Sequence, residues 1–150
     1  MGSDLDERKS TTGYIIKVND CVVSWVSKKQ STVALSTAEA EYIAISAAVQ
    51  EIKWVTLLLD KLNYQQAEIP VIYSDNKAAI AISENDVKHN RTKHIDIKHH
   101  FVREAIKMKK IRIEWVDTTE QLADINTKAL NGVVFVRLGD QMMKKREDCQ

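Results

Sequence analysis

Ala34-Leu35-Ser36-Thr37-Ala38-Glu39-Ala40-Glu41-Tyr42-Ile43-Ala44 decides how this chain is read, because it opens the longest helical pattern in the sequence. Ser36 and Glu39 have the spacing of a capping box. In it the Ser36 hydroxyl accepts the Glu39 N–H and the Glu39 carboxylate reaches back to the Ser36 N–H. That gives Glu39 a structural duty, and Glu41 has none. Its neighbours at helical spacing are Ala44, Ile45, Ala48 and Ile52, so it heads along an apolar stripe. A carboxylate placed there needs a cation, a set of hydrogen bonds or a raised pKa. The pattern runs from Thr37 to Leu62 without Gly or Pro, long enough to allow a kink near Gln50.

Outward from this helix the elements alternate. Gly13 to Asn19 and Cys21 to Ser27 are rich in β-branched residues and flank a turn signal at Asn19-Asp20, so they predict an antiparallel hairpin. Val71 to Ser74 reads as a buried strand ending at Asp75, followed by a short helix from Asn76 to Ser83. His94 to Lys109 reads as a helix with Ile97, Phe101, Val102 and Ile106 on one face. Ile111 to Val116 alternates as a strand. Thr118 with Gln121 has the form of a second capping box, predicting a helix from Thr119 to about Leu130. Val133 to Val136 has strand propensity, but its place after a helix allows helix as well. The order β-β-α-β-α-α-β-α predicts an α/β fold, a mixed sheet flanked by helices.

The 150 residues suggest one domain, and 44% hydrophobic with 29% charged residues is ordinary for a globular protein. No uninterrupted run of about 18 apolar residues suggests a membrane span, so no membrane partner is expected. Met1-Gly2-Ser3 has the look of a cloning remnant rather than a signal peptide. Cys21 and Cys149 form neither a disulfide framework nor a zinc pattern, which suggests an intracellular setting, cytoplasmic or nuclear. Residues 139–150 read as a charged tail. Between Lys88 and Arg112 there are nine Lys or Arg against two acids, and all four histidines fall there. Such an excess is either a footprint for a polyanion or a solvated helix face. His94 and His99 have no third ligand at a suitable spacing for zinc.

Three acids stand out: Glu41 in the first turns of the long helix, Asp75 at a strand end, and Asp124 beyond the second cap. Ligands of open α/β sheets gather at the carboxyl ends of strands. Each acid also has a structural reading. Asp75 could cap the helix from Asn76, Asp124 could be a solvated helix residue, and Glu41 could pair with a lysine. If they converge, they form an oxygen-ligand set suited to Mg²⁺ or Mn²⁺, and two such ions can hydrolyse a phosphodiester.

Five motifs occur in order: Arg8 to Tyr14 (R-K-S-T-T-G-Y), Ser36 to Tyr42 (S-T-A-E-A-E-Y), Ser74 to Asn76 (S-D-N), Arg91 to Ile97 (R-T-K-H-I-D-I) and Gln121 to Lys128 (Q-L-A-D-I-N-T-K). This set resembles the ribonuclease H domain of copia-type LTR-retrotransposon polyproteins, over residues 4–138. The resemblance implies a ribonuclease H-like fold that cuts the RNA strand of an RNA–DNA hybrid with two Mg²⁺ ions. It carries the acidic ligands onto Glu41, Asp75 and Asp124. Arg91, Lys93, His94 and Lys98 become candidates for phosphate contacts, with a structural histidine at the helix start as the alternative for His94.

The chain departs from the family pattern in two places. Ala129 replaces a proline that usually follows T-K. The family's first strand, which supplies the first catalytic aspartate, precedes the R-K-S-T-T-G-Y motif and is not expected in this chain; Asp4 and Asp6 do not replace it. In the family that strand lies mid-sheet, so its loss would leave backbone groups unpaired. A swapped homodimer or a partner segment could fill the gap. The tail from Val133 to Leu138 could also fold into it, or the sheet could rearrange. Two functional readings follow: a ribonuclease H impaired by a missing ligand, or a domesticated, catalytically silent remnant used for nucleic-acid binding or assembly.

Overall fold

The computed structural model describes residues 9–85 and 93–143; side chains are described from residue 96 onward in the second stretch. It is a mixed α/β structure. Strands β1 (Thr11–Val18) and β2 (Cys21–Lys29) form the expected antiparallel hairpin. Asn19 and Asp20 both take positive φ, 49° and 63°. That matches the right-handed strand twist in a two-residue turn, and Asn and Asp tolerate it well. The Asn19 amide also donates to the Tyr64 hydroxyl at 2.6 Å, fastening the turn to the chain beyond the long helix.

Helix α1 (Thr37–Lys61) is continuous through Gln50, so the allowance for a kink is not used. Ser36 Oγ accepts the Glu39 N–H at 3.1 Å as expected. The return bond lands one residue earlier, with the Leu35 N–H donating to Glu39 Oε2 at 2.8 Å. Asn63, with φ 56°, turns the chain away after the C-cap at Leu62. By length and composition α1 could cross a membrane, but half of its apolar window is buried inside the protein, as in a core helix. Tyr42, Ile45, Val49, Ile52 and Val55 pack against Ile16 of β1 and a buried cluster drawn from the rest of the chain. Burying one such aliphatic side chain is worth about 1.5–3 kcal/mol, so this stripe is the main reason the elements cohere.

Strand β3 (Val71–Ser74) leads into α2 (Lys77–Glu84), and α3 (Lys93–Lys107) leads into β4 (Arg112–Trp115), which lies parallel to β3. The inner face of α3 differs from the expected one. Ile97 is 60% exposed, while His99, Val102 and Ala105 are buried and Phe101 and Ile106 partly so. The ring of His99 explains the rotation, since its Nε2 lies 2.9 Å from the Ile82 carbonyl of α2 and it packs beside Tyr42. A histidine with a buried backbone partner takes the inward place that Ile97 was expected to hold.

The largest departure follows β4. Instead of an α-helix from Thr119 to Leu130 there are two short 3-10 turns, Thr118–Glu120 and Leu122–Asn126. The Thr118–Gln121 box does not form. Asp117 caps instead, accepting from the Thr119 N–H at 2.9 Å and its hydroxyl at 2.7 Å. Gln121 is drawn elsewhere, its amide donating to the Tyr73 carbonyl at 3.1 Å. The last helix, α4 (Gly132–Met142), takes the tail, capped by Asn131 with Leu138 buried. Val133 to Leu138 therefore does not fold back as a strand.

The described strands form two separate two-stranded sheets, β1 with β2 and β3 with β4, neither rearranged. Each leaves one edge of β1 and of β3 without a strand partner. Pro70 and Ser74 turn their carbonyls to the N–H groups of Arg112 and Val116. By the alternation of a parallel ladder, Val71 and Tyr73 turn theirs to the open edge, where Gln121 meets Tyr73.

The second 3-10 turn is seated on Gly13 of β1. A Cβ there would collide with Thr127 Cγ2 and stand 3.1 Å from Asn126 Cβ and 3.2 Å from the Ala123 carbonyl. Ser27 donates to the Asn126 carbonyl at 2.6 Å and the Asn126 amide to the Tyr14 carbonyl at 3.2 Å, locking the contact. Gly13→Ala is expected to cost roughly 1–3 kcal/mol by overpacking, measured by urea unfolding. Adding Thr127→Ser, which deletes the colliding methyl, should recover part of it; strict additivity of the two changes would refute the contact.

Candidate active site

Each of the three acids is placed by a neighbour that carries the structural duty. Glu41 is fixed by the cap of α1 and by Gln30, a buried side chain whose amide donates to Thr12 Oγ1 at 3.1 Å and to the Ala40 carbonyl at 3.0 Å. That pair of bonds pins the first turns of α1 to the hairpin. Asp75 follows the end of β3, and the cap of α2 is Asn76, whose Oδ1 accepts the Ala79 N–H at 2.9 Å. The capping role considered for Asp75 is thus filled by the next residue. Asp124 is buried in the 3-10 turn seated on Gly13.

The three carboxyl groups act on one another. Burial, first, and the charge of Asp75, next, hold Glu41 above the ordinary carboxylate range, with Asp124 adding to the rise and Lys128 opposing it. Lys128 donates to Asp124 Oδ2 at 2.9 Å. Burial pulls its ammonium down, but the bond and charge of Asp124, with Asp75 and Glu41, outweigh that and raise it. A lysine does stand near Glu41, as one alternative held, yet its direct partner is Asp124.

The donor chemistry is that of hard divalent ions: oxygen only, with the nearby His99 engaged by Ile82. The arrangement is not a closed cage. Among the described residues no three acidic, histidine or cysteine side chains stand close enough to hold an ion together. Mg²⁺ commonly takes only one or two protein carboxylates and keeps water or phosphate oxygens for the rest, so coupled but separated acids suit it. Two surface depressions lie elsewhere, one along α3 at His100, Arg103 and Lys107, the other around Asp60, Tyr64 and Gln65.

Of the basic candidates, Lys98 is half-buried on α3. Arg91 lies outside the described residues, as do the side chains of Lys93 and His94, whose backbone opens α3. Sequence reasoning missed Lys128, although it stands four residues after Asp124, the spacing at which opposite charges meet on a helical turn.

Comparison with known proteins adds the following. The chain is 42% identical over 130 residues to the retrovirus-related Pol polyprotein from transposon TNT 1-94 of Nicotiana tabacum, covering 87% of this chain and 10% of that protein. It is 41% identical over 132 residues to the corresponding polyprotein from transposon RE2 of Arabidopsis thaliana, covering 88% and 9%. A shorter match, 56% over 54 residues, is to secreted RxLR effector protein 161 of Plasmopara viticola, covering 36% of this chain and 38% of that one. The chain thus spans about a tenth of the length of the Pol polyproteins it matches. No protein-family model and no solved structure matches it.

A carboxyl raised by burial and like charges favours the fold fully below the ordinary glutamate range. That contribution is lost as pH rises through the raised value. With a chelator present, Glu41→Gln is therefore expected to melt above wild type near neutral pH and level with it once acidified below that range. Thermal unfolding at the two pH values checks this; identical midpoints at both would show that Glu41 is not held against its charge.

Proposed function

With homologues that are copia-type retrovirus-related Pol polyproteins, we propose that this chain is the ribonuclease H part of such a polyprotein, acting on the RNA strand of RNA–DNA hybrids. What supports the reading is that the charges of Asp75 and Asp124 both push Glu41 up, although among the described residues the three acids do not stand as a ready-made ion cluster. Those three side chains would hold Mg²⁺ or Mn²⁺. When bound, such ions make water a stronger nucleophile and offset charge on the leaving oxygen of a phosphodiester. The protein's share is to keep the acids on three fixed elements, so that little reorganisation remains at the moment of reaction. Lys98, with Arg91, Lys93 and His94, is assigned to the phosphates of the hybrid. Such contacts fix position rather than sequence, and they weaken with salt.

The resemblance calls for a fourth acid, on a strand that would precede Arg8, and the edges of β1 and β3 have no strand partner among the described residues. A strand from a second copy or from a partner segment, seated between them, would complete the sheet. The open edges of β1 and β3 favour a second reading, a silent remnant kept for nucleic-acid binding or assembly.

Hybrid cleavage in Mg²⁺ and in Mn²⁺ separates them. On the nuclease reading wild type cuts slowly, faster in Mn²⁺, and Asp75→Asn falls by about a hundredfold or more, the usual worth of one electrostatic group. No cleavage by wild type, or equal cleavage by both, leaves the binding reading. Gel filtration addresses the swapped dimer: elution as a 17.1 kDa monomer at all concentrations excludes it.

A further inference from the structure

We propose that Lys128 is a tethered competitor for the divalent ion, a fixed counter-ion that must leave Asp124 before an ion can bind there. The proposal rests on the three-acid reading above and concerns a residue which that reading does not use.

The geometry sets the competition. The Lys128 ammonium stands 2.9 Å from Asp124 Oδ2. A divalent ion bound to this carboxylate sits about 2.0–2.1 Å from one of its oxygens, and whichever oxygen it takes it meets the repulsion of the ammonium already there. The backbone builds the arrangement. The Asp124 carbonyl accepts the N–H of Thr127 at 3.1 Å and of Lys128 at 3.0 Å, a turn that folds Lys128 back over the acid. The two partners differ in freedom: the Asp124 side chain is 12% exposed and that of Lys128 51%. The acid is therefore fixed while the lysine reaches in from the solvent side and can swing out on its flexible stem. Its charge is felt by Glu41 and Asp75 as well, so one ammonium balances part of a three-acid cluster.

The device has a use. Without a counter-ion, acids gathered on three elements repel and strain the contact between the sheets. With it, the site stays assembled while empty and opens to an ion of higher charge.

Mn²⁺ binding to the full chain, followed by calorimetry and by the paramagnetic resonance of free ion, tests this. Lys128→Met is expected to bind Mn²⁺ about tenfold more tightly than wild type, the worth of one modest ion pair. It should also melt lower in chelator, whereas Lys128→Arg should stay near wild type in both. Unchanged or weaker binding by Lys128→Met, or tightening by Lys128→Arg as well, overturns the competition and leaves the acids as an ion site. If wild type and Lys128→Met bind no more Mn²⁺ than Asp75→Asn, the proposal and the three-acid reading fall together. Should Lys128→Met not fold, wild type decides. Acetylation of Lys128 by an amine-reactive reagent, read by mass spectrometry, should speed up at saturating Mn²⁺, and an unchanged rate overturns the proposal.

Discussion

The two described sheets share no strand, so something other than a ladder has to hold them in one body. Two elements do it. The apolar stripe of α1 packs against Ile16 of one sheet and Ile72 of the other. On the hairpin, the segment from Gln121 to Lys128 rests on Gly13, and it reaches the open edge of β3 through Gln121 and Tyr73. Ordinary α/β sheets obtain this continuity from backbone pairing through the middle. Here it comes from side-chain packing and a few side chain-to-backbone bonds, and Glu41 and Asp124 belong to those same linking elements.

Charge follows from that placement. The placement of α1, the end of β3 and the second 3-10 turn lets Asp75 and Asp124 act on Glu41. Burial and mutual repulsion oppose ionisation of Glu41, and Lys128 offsets part of the cost. The packing that joins the sheets and the electrostatics of the site are one problem, met partly by a lysine that pattern reading had passed over.

What could be read from the sequence was what local forces decide. Asn19-Asp20 announces a tight turn, Ser36 announces the start of α1, and the alternation near Ile113 announces β4. The unusual setting of Glu41 was legible because a carboxylate on an apolar stripe has no local excuse, and its raised pKa agrees; Asp75 drew notice by following a buried strand, where Asn76 holds the cap. Two of the failures share a cause. The box at Thr118 and Gln121 gave way because Gln121 is spent on Tyr73, a residue 48 positions away. Ile97 lost the inner face of α3 to His99, whose partner Ile82 lies on another helix. At Gln121 and Ile97 a tertiary bond overrode local preference, whereas the Lys128–Asp124 pair is local and its spacing was simply passed over. The tail was left open between strand and helix, and the Asn131 cap with buried Leu138 decides for helix.

The caps carry one more consequence. Near each candidate acid another residue does structural work: Ser36 for Glu41, Asn76 for Asp75, and Gln121 for the turn that carries Asp124. Caps and candidate acids thus fall on different residues. Changing Glu41 or Asp75 to its amide would leave both caps in place, so the shape can outlast the loss of either acid.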